Sequence, residues 1–87
     1  MRLSARWTRN QDKETSESTR KLLLRSKSVI QRLRLMLEED KKQLQDKSSS
    51  VNAFQDPNWA YQQAFYLGQI NQLSKILEDL LPDYKGN

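Results

Sequence analysis

The chain has 87 residues, with 15 lysines and arginines against 11 aspartates and glutamates, a net charge of +4, and no histidine or cysteine. This length suffices for one small domain, since a second hydrophobic core needs roughly a hundred more residues. Without cysteine or histidine, thiol nucleophiles, disulfides, histidine general bases and Cys/His zinc sites are excluded. We therefore predict a non-enzymatic protein that uses neither a cofactor nor a metal ion.

The composition favours an all-α fold. Only two glycines and two prolines are present, with 36% apolar and 30% charged residues, which is too few turn residues for a many-stranded protein. No stretch approaches the ~18–20 apolar residues of a membrane span, and the start of the chain lacks the apolar core of a signal peptide. We accordingly expect no membrane span and a cytoplasmic location.

Residues 1–13 contain four bases and one acid but no sustained apolar period. Arg2, Arg6 and Arg9 recur at near-helical spacing within this segment. Such a segment is mobile alone and becomes ordered on contact with a partner. We predict a flexible basic N-terminal arm, with an ordinary frayed terminus as the alternative.

Residues 14–47 have the pattern of one long amphipathic helix. Apolar residues recur at intervals of seven, three, four and seven, which is the spacing of a helix–helix seam. No glycine or proline interrupts this stretch. The residues of the seam are Leu23, Ile30, Leu33, Leu37 and Leu44.

The first part of this predicted helix is strongly basic. Between positions 20 and 34 there are six bases and no acid: Arg20, Lys21, Arg25, Lys27, Arg32 and Arg34. With the bases of the arm, they are candidate contacts for an acidic protein or for a nucleic-acid backbone, the latter without sequence specificity and sensitive to salt. A solvated helix surface is the alternative, since no DNA- or RNA-binding motif accompanies the charge.

Residues 48–56 are predicted to connect this helix to a second one. Ser48, Ser49 and Ser50 are poor helix formers, because their hydroxyls compete for backbone hydrogen bonds. The pair Asp56–Pro57 has the residue types of an N-cap and a first helical position. The second helix should then span 57–81, followed by a tail at 82–87, because the residue before Pro82 disfavours helical backbone.

The second predicted helix has more apolar and aromatic surface than one partner helix can cover. Aromatic residues are enriched at the centres of protein interfaces. A glycine inside a helix costs about 1 kcal/mol relative to alanine, and is usually retained where another backbone or ring approaches closely. The candidate partner-binding residues are Trp59, Ala64, Phe65, Tyr66 and Gly68.

Two helices joined by a short connector form an antiparallel hairpin. A lone hairpin of this size buries few side chains, and small chains without disulfides or metal usually reach stability by oligomerising or docking. We therefore predict an all-α two-helix antiparallel hairpin that is oligomeric or docked on a partner.

The second predicted helix also resembles a pattern in short tailed-bacteriophage proteins. The pattern has a tryptophan, small residues, an aromatic residue and a glycine, followed by leucines at helical spacing. It covers about 26 of the 87 residues, and its matching positions are Asp56, Pro57, Trp59, Ala60, Ala64, Phe65, Gly68, Ile70, Leu73 and Leu77. The resemblance implies a small non-enzymatic virion, assembly or host-takeover protein, located in a virion or in the host cytoplasm.

Three functions follow as hypotheses. The first is a protein–protein interaction or assembly component, as a homo-oligomer or within a larger structure. The second is a small, sequence-nonspecific nucleic-acid-associated protein or regulator that uses the basic surface of the first helix. The third is an antitoxin or inhibitor whose arm and first helix wrap around an enzyme.

Overall fold

The computed structural model describes residues 1–50 and 58–84. Within these ranges the fold is all-helical, as predicted, apart from one isolated backbone bridge between Arg2 and Asp83. The elements in chain order are a 3₁₀ turn at Ala5–Trp7, α1 at Lys13–Arg25, α2 at Lys27–Ser50, α3 at Trp59–Lys75 and a π-helical turn at Ile76–Leu80.

The described residues form three helices rather than the two predicted, because the first predicted helix is divided at Ser26. The backbone of Ser26 (φ −93°, ψ 14°) leaves the helical region, and its N–H donates to the carbonyls of both Leu22 and Leu23. The last turn of α1 is held from outside the helix, since the Tyr84 hydroxyl donates to the Leu23 carbonyl at 2.7 Å. The break at Ser26 is therefore accompanied by a hydrogen bond from Tyr84, near the other end of the chain.

At its other end α1 begins at Lys13, and Asp12 caps it. The Asp12 carboxylate accepts from the Thr15 backbone N–H at 2.7 Å, and this bond holds the pKa of Asp12 below its usual value. The cap satisfies one of the donors that every helix leaves free in its first turn.

Helix α2 continues to Ser50, three residues beyond the predicted end at 47. The hydroxyls of Ser48 and Ser49 donate to acceptors that leave the helical hydrogen bonds in place. Ser49 donates to the Gln45 carbonyl one turn back, and Ser48 exchanges two hydrogen bonds with Gln63 of α3. The remainder of the predicted connector, including the Asp56–Pro57 cap, lies outside the described residues.

Helix α3 begins at Trp59, with Asn58 at its N-cap position. Its last turn widens into the π-helical turn, which closes with a 2.9 Å bond from the Leu81 N–H to the Ile76 carbonyl. Leu81 itself is extended (φ −69°, ψ 139°), the backbone conformation favoured before a proline. Helical structure thus stops at Leu80.

Helices α2 and α3 lie antiparallel, since Ser48 pairs with Gln63 at one end and Arg34 with the Leu77 carbonyl at the other. The molecule is a rod with extents of 58 × 26 × 18 Å. Its most buried residues lie where the described tail meets the last turn of α1: Leu23, Leu77, Leu81 and Pro82.

The N-terminal segment is packed against the tail, not a free arm as predicted. The backbones of Arg2 and Asp83 exchange two 2.9 Å hydrogen bonds. The indole N–H of Trp7 donates to the Leu80 carbonyl at 2.6 Å, and its ring is half-buried. An indole combines a large apolar body with one donor, so it can anchor a segment without a regular apolar period.

Candidate interaction surfaces

Helix α3 exposes aromatic side chains on the side that faces away from α2. We call this surface, formed by Tyr61, Ala64, Phe65 and Gly68, the outer face of α3; its members follow helical three- and four-residue spacing. Tyr61 is 80% exposed and Phe65 is 62% exposed, and Leu67 at the edge of the face is 57% exposed. Large apolar groups clustered in this way indicate an interaction site on a folded protein.

The outer face also lies on a nearly uncharged helix. Among the 17 residues of α3, Lys75 in the last turn is the only charged one. Depletion of charge together with aromatic enrichment is typical of the buried centre of protein interfaces. The surface therefore suits contact with protein better than contact with a polyanion.

The structure places four of the five predicted partner-binding residues at the surface: Trp59, Ala64, Phe65 and Gly68. Tyr66 differs, since it is half-buried. Its ring stands edge-to-face against Phe65, with centroids 5.8 Å apart and an interplanar angle of 64°. Tyr66 thus contacts one side of the exposed Phe65 ring.

Gly68 has open space around it. A Cβ atom added there would meet no heavy atom of the described residues within 4 Å, apart from the two neighbouring residues and the local helix backbone. Packing among the described residues therefore does not require a glycine at this position.

We expect Gly68→Ala to raise the free energy of unfolding of the isolated chain by about 0.5–1 kcal/mol, because alanine is the better helix former and no clash opposes it. Urea denaturation followed by circular dichroism measures this change. A loss of stability would show that the helix around position 68 is more crowded than the structure describes.

The predicted basic residues fall into two groups. Eight have exposed side chains: Arg2, Arg6, Arg9, Arg20, Lys21, Arg25, Lys27 and Arg32. The ninth, Arg34, is half-buried and engaged. Lys27 is exposed yet also lies 6.0 Å from the centre of the Tyr84 ring, within range of a cation–π contact.

Arg34 joins α2 to the end of the helical hairpin instead of facing a partner. One guanidinium nitrogen donates to the Leu77 carbonyl at 2.8 Å and another to the Pro82 carbonyl at 3.0 Å. The Leu77 carbonyl needs such a donor, because the Leu81 N–H bonds Ile76 and proline has no N–H. Arg34 is thus a structural clamp, and its predicted role as a nucleic-acid or acidic-partner contact is not supported by its position.

Two further residues that sequence reasoning passed over are anchors in the structure. Trp7 bonds the Leu80 carbonyl, and Tyr84 bonds the Leu23 carbonyl. With Arg34 they satisfy four main-chain carbonyls near the ends of α1 and α3. In the sequence, Arg34 is four residues from Ile30 and three from Leu37, so it flanks the predicted apolar seam. This position distinguishes it from the other bases but does not identify its acceptors.

Burial raises the pKa of the Tyr84 hydroxyl above its ordinary value of 10.0. The unfolded chain therefore ionises first as pH rises, so this contribution to stability is complete below pH 10 and is lost as pH increases through the higher folded-state pKa. We expect the wild type to lose stability more steeply than Tyr84→Phe between pH 9 and 11, as measured by urea denaturation at each pH. Parallel curves would contradict a protonated Tyr84 bond to Leu23.

A groove of about 440 Å³ runs between α2 and α3, and its lining combines polar side chains such as Gln43, Gln69 and Gln72 with Leu44 and Leu73. Its lining contains no cluster of acids, and within residues 1–50 and 58–84 no group of three or more acidic side chains could hold a metal ion. No helix in the described part of the chain is both long enough and apolar enough to cross a bilayer.

Comparison with known proteins gives no relative: no family model, curated protein or solved structure matches this chain.

Proposed function

We propose that this chain is a non-enzymatic protein–protein interaction component of a larger assembly, and that the outer face of α3 is its contact surface. The observation that carries the proposal is the exposure of Tyr61, Phe65 and Leu67 on a helix whose single charge lies in its last turn. Covering these groups removes a large apolar area from water, which favours association.

Tyrosine and phenylalanine suit this role for a physical reason. Each aromatic side chain buries about 150–250 Å² when fully covered and loses little rotamer freedom on binding. One side of the Phe65 ring already contacts Tyr66 in the single chain. Tyr61 adds a hydroxyl that can stay in contact with water at the rim.

The setting that we propose is a multi-copy particle. The likeness of residues 56–81 to small tailed-bacteriophage proteins supports a virion, or an intermediate in its assembly in the host cytoplasm. No membrane span enters this proposal, and the basic residues of α1 and α2 would serve as secondary contacts to acidic surfaces in the assembly.

Site-specific photocrosslinking tests the contact surface. A benzoylphenylalanine side chain replaces Phe65 in one variant and Glu39, an exposed residue of α2, in the control. In cells that produce the protein at its native level, we expect a discrete crosslinked protein band from position 65 and none from position 39. Equal crosslinking from both positions would contradict the proposal.

Nucleic-acid association is the second candidate. The observation in its favour is the exposure of Arg20, Lys21, Arg25, Lys27 and Arg32, with no acid between positions 20 and 34. If it is correct, affinity for duplex DNA falls ten-fold or more between low and physiological salt, since contacts to phosphate release counterions. Charge reversal at Arg25 and Arg32 would then abolish binding. Weak binding that is unaffected by salt and by charge reversal would reject this candidate.

A further inference from the structure

We propose that a second copy of this chain covers the outer face of α3. The two α3 helices would pack antiparallel around a two-fold axis near Phe65, giving a homodimer. This inference rests on the proposed function, because it names the partner of the same surface.

The first argument is area. The chain exposes 6929 Å², whereas a compact protein of 10.3 kDa exposes about 5,400 Å². The difference of about 1,500 Å² exceeds the ~800 Å² that each partner contributes to a stable interface. The elongated chain therefore leaves more surface uncovered than a compact protein of its mass, by more than one side of a dimer contact needs.

The second argument is charge. A second copy brings the same charge distribution, so a two-fold contact through the basic part of α1 and α2 would place like charges together, which costs several kcal/mol. Helix α3 has Lys75 as its only charge, and it lies ten residues from Phe65. Two copies can therefore pack through the outer face without bringing like charges together. An acidic partner protein would instead be drawn to the exposed bases.

The third argument is shape. In an antiparallel pair centred near Phe65, Tyr61 of one copy lies opposite Gly68 of the other. Tyr61 is the most exposed aromatic residue of the face, at 80%, and Gly68 has open space around it. A projecting ring opposite a residue without a side chain gives the knob-and-gap complementarity that close helix packing needs.

The closing experiment measures molar mass by sedimentation equilibrium over a concentration series. We expect the wild type to reach twice 10.3 kDa. Phe65→Glu and Phe65→Lys should each raise the dimer dissociation constant about thirty-fold or more. An equimolar mixture of the two variants should restore the dimer, because opposite charges then meet across the axis. Val29→Glu, at a 70% exposed position on α2, is the matched control and should leave the dimer intact.

A second variant separates folding from association. Gly68→Ala should stabilise the isolated chain yet weaken the dimer, since the added methyl group occupies the space opposite Tyr61. Circular dichroism of the Phe65 variants should show unchanged helix content, because Phe65 is 62% exposed in the single chain.

Three results would overturn the inference. The first is a wild type that remains a 10.3 kDa monomer at millimolar concentration. The second is a dimer that survives Phe65→Glu, whatever the effect of Val29→Glu. The third is a mixture of the two Phe65 variants that stays monomeric. If the chain is a monomer while position 65 still crosslinks to a different protein, the second copy is rejected and the proposed function stands. A monomer without crosslinks rejects both.

Discussion

Replacing Arg34 by methionine is expected to lower the free energy of unfolding by about 2–4 kcal/mol. Methionine keeps the unbranched apolar stem but removes the donors to the Leu77 and Pro82 carbonyls. Hydrogen bonds to charged groups are worth roughly 1.5–3 kcal/mol each, and both of these are only partly buried, so the total stays below their sum. Urea denaturation followed by far-UV circular dichroism measures the change.

Arg32→Met is the matched control for this prediction. It makes the same chemical change two residues away on α2, where the side chain is exposed. We expect it to change stability by no more than about 0.5 kcal/mol. Equal effects of the two substitutions would show that Arg34 does not clamp the end of the helical hairpin.

The same pair of variants bears on the basic surface. If the exposed bases contact an acidic protein or a nucleic acid, Arg32→Met should weaken that contact and Arg34→Met should spare it, measured at a temperature where both variants are folded. Arg32 and Arg34 are two residues apart in the sequence, yet Arg32 is exposed whereas Arg34 holds α2 to the carbonyls of Leu77 and Pro82.

The all-helical class could be predicted from the sequence because helical period is a local property. Ile30, Leu37 and Leu44 recur along α2, and Ile70 and Leu77 recur in the second predicted helix, so the spacing shows most of the surface that packs. Leu33, which also belonged to the predicted seam, is instead 38% exposed. The aromatic surplus on the second predicted helix is equally local. Its exposure is expected because the helix has more apolar residues round its circumference than one facing helix can cover.

The break at Ser26 and the packed N-terminal segment could not be predicted in this way. The bond from Tyr84 to Leu23 joins residues 61 positions apart, and the bond from Trp7 to Leu80 joins residues 73 positions apart. In both, the acceptor is a main-chain carbonyl, which carries no side-chain signature. A helical period in the sequence contains no information about such contacts.

The structural role of Arg34 could not be predicted from the sequence for a related reason. Charge counting groups it with Arg32, because both belong to a run without acids. Its acceptors arise only when Pro82 and the π-helical turn leave the Leu77 carbonyl without a backbone donor. Most residues of the candidate site on α3 can therefore be predicted from the sequence. Which basic residue is structural and which are exposed can be decided only from the folded structure.

Leu23→Ala is expected to lower the free energy of unfolding by about 2.5–4 kcal/mol. Leu23 is 7% exposed and is the one buried residue of α1, so truncation leaves a cavity where α1 meets the tail. Its carbonyl also accepts the Tyr84 hydroxyl, so loss of the side-chain packing should loosen that bond as well. Urea denaturation measures the global loss. Hydrogen exchange should show faster exchange of the α1 amides than of those in α2 and α3.

Leu22→Ala and Leu24→Ala make the same truncation on either side of Leu23. These neighbours are 63% and 54% exposed, so each substitution removes little buried surface, and we expect losses below about 0.5 kcal/mol. Three similar losses would mean that α1 is not fixed through a single buried leucine. A large loss at Leu22 alone would place a different side of α1 against the tail. A short helix held at its last turn by one buried leucine and the Tyr84 bond should lose far more stability with Leu23→Ala than with either neighbouring substitution.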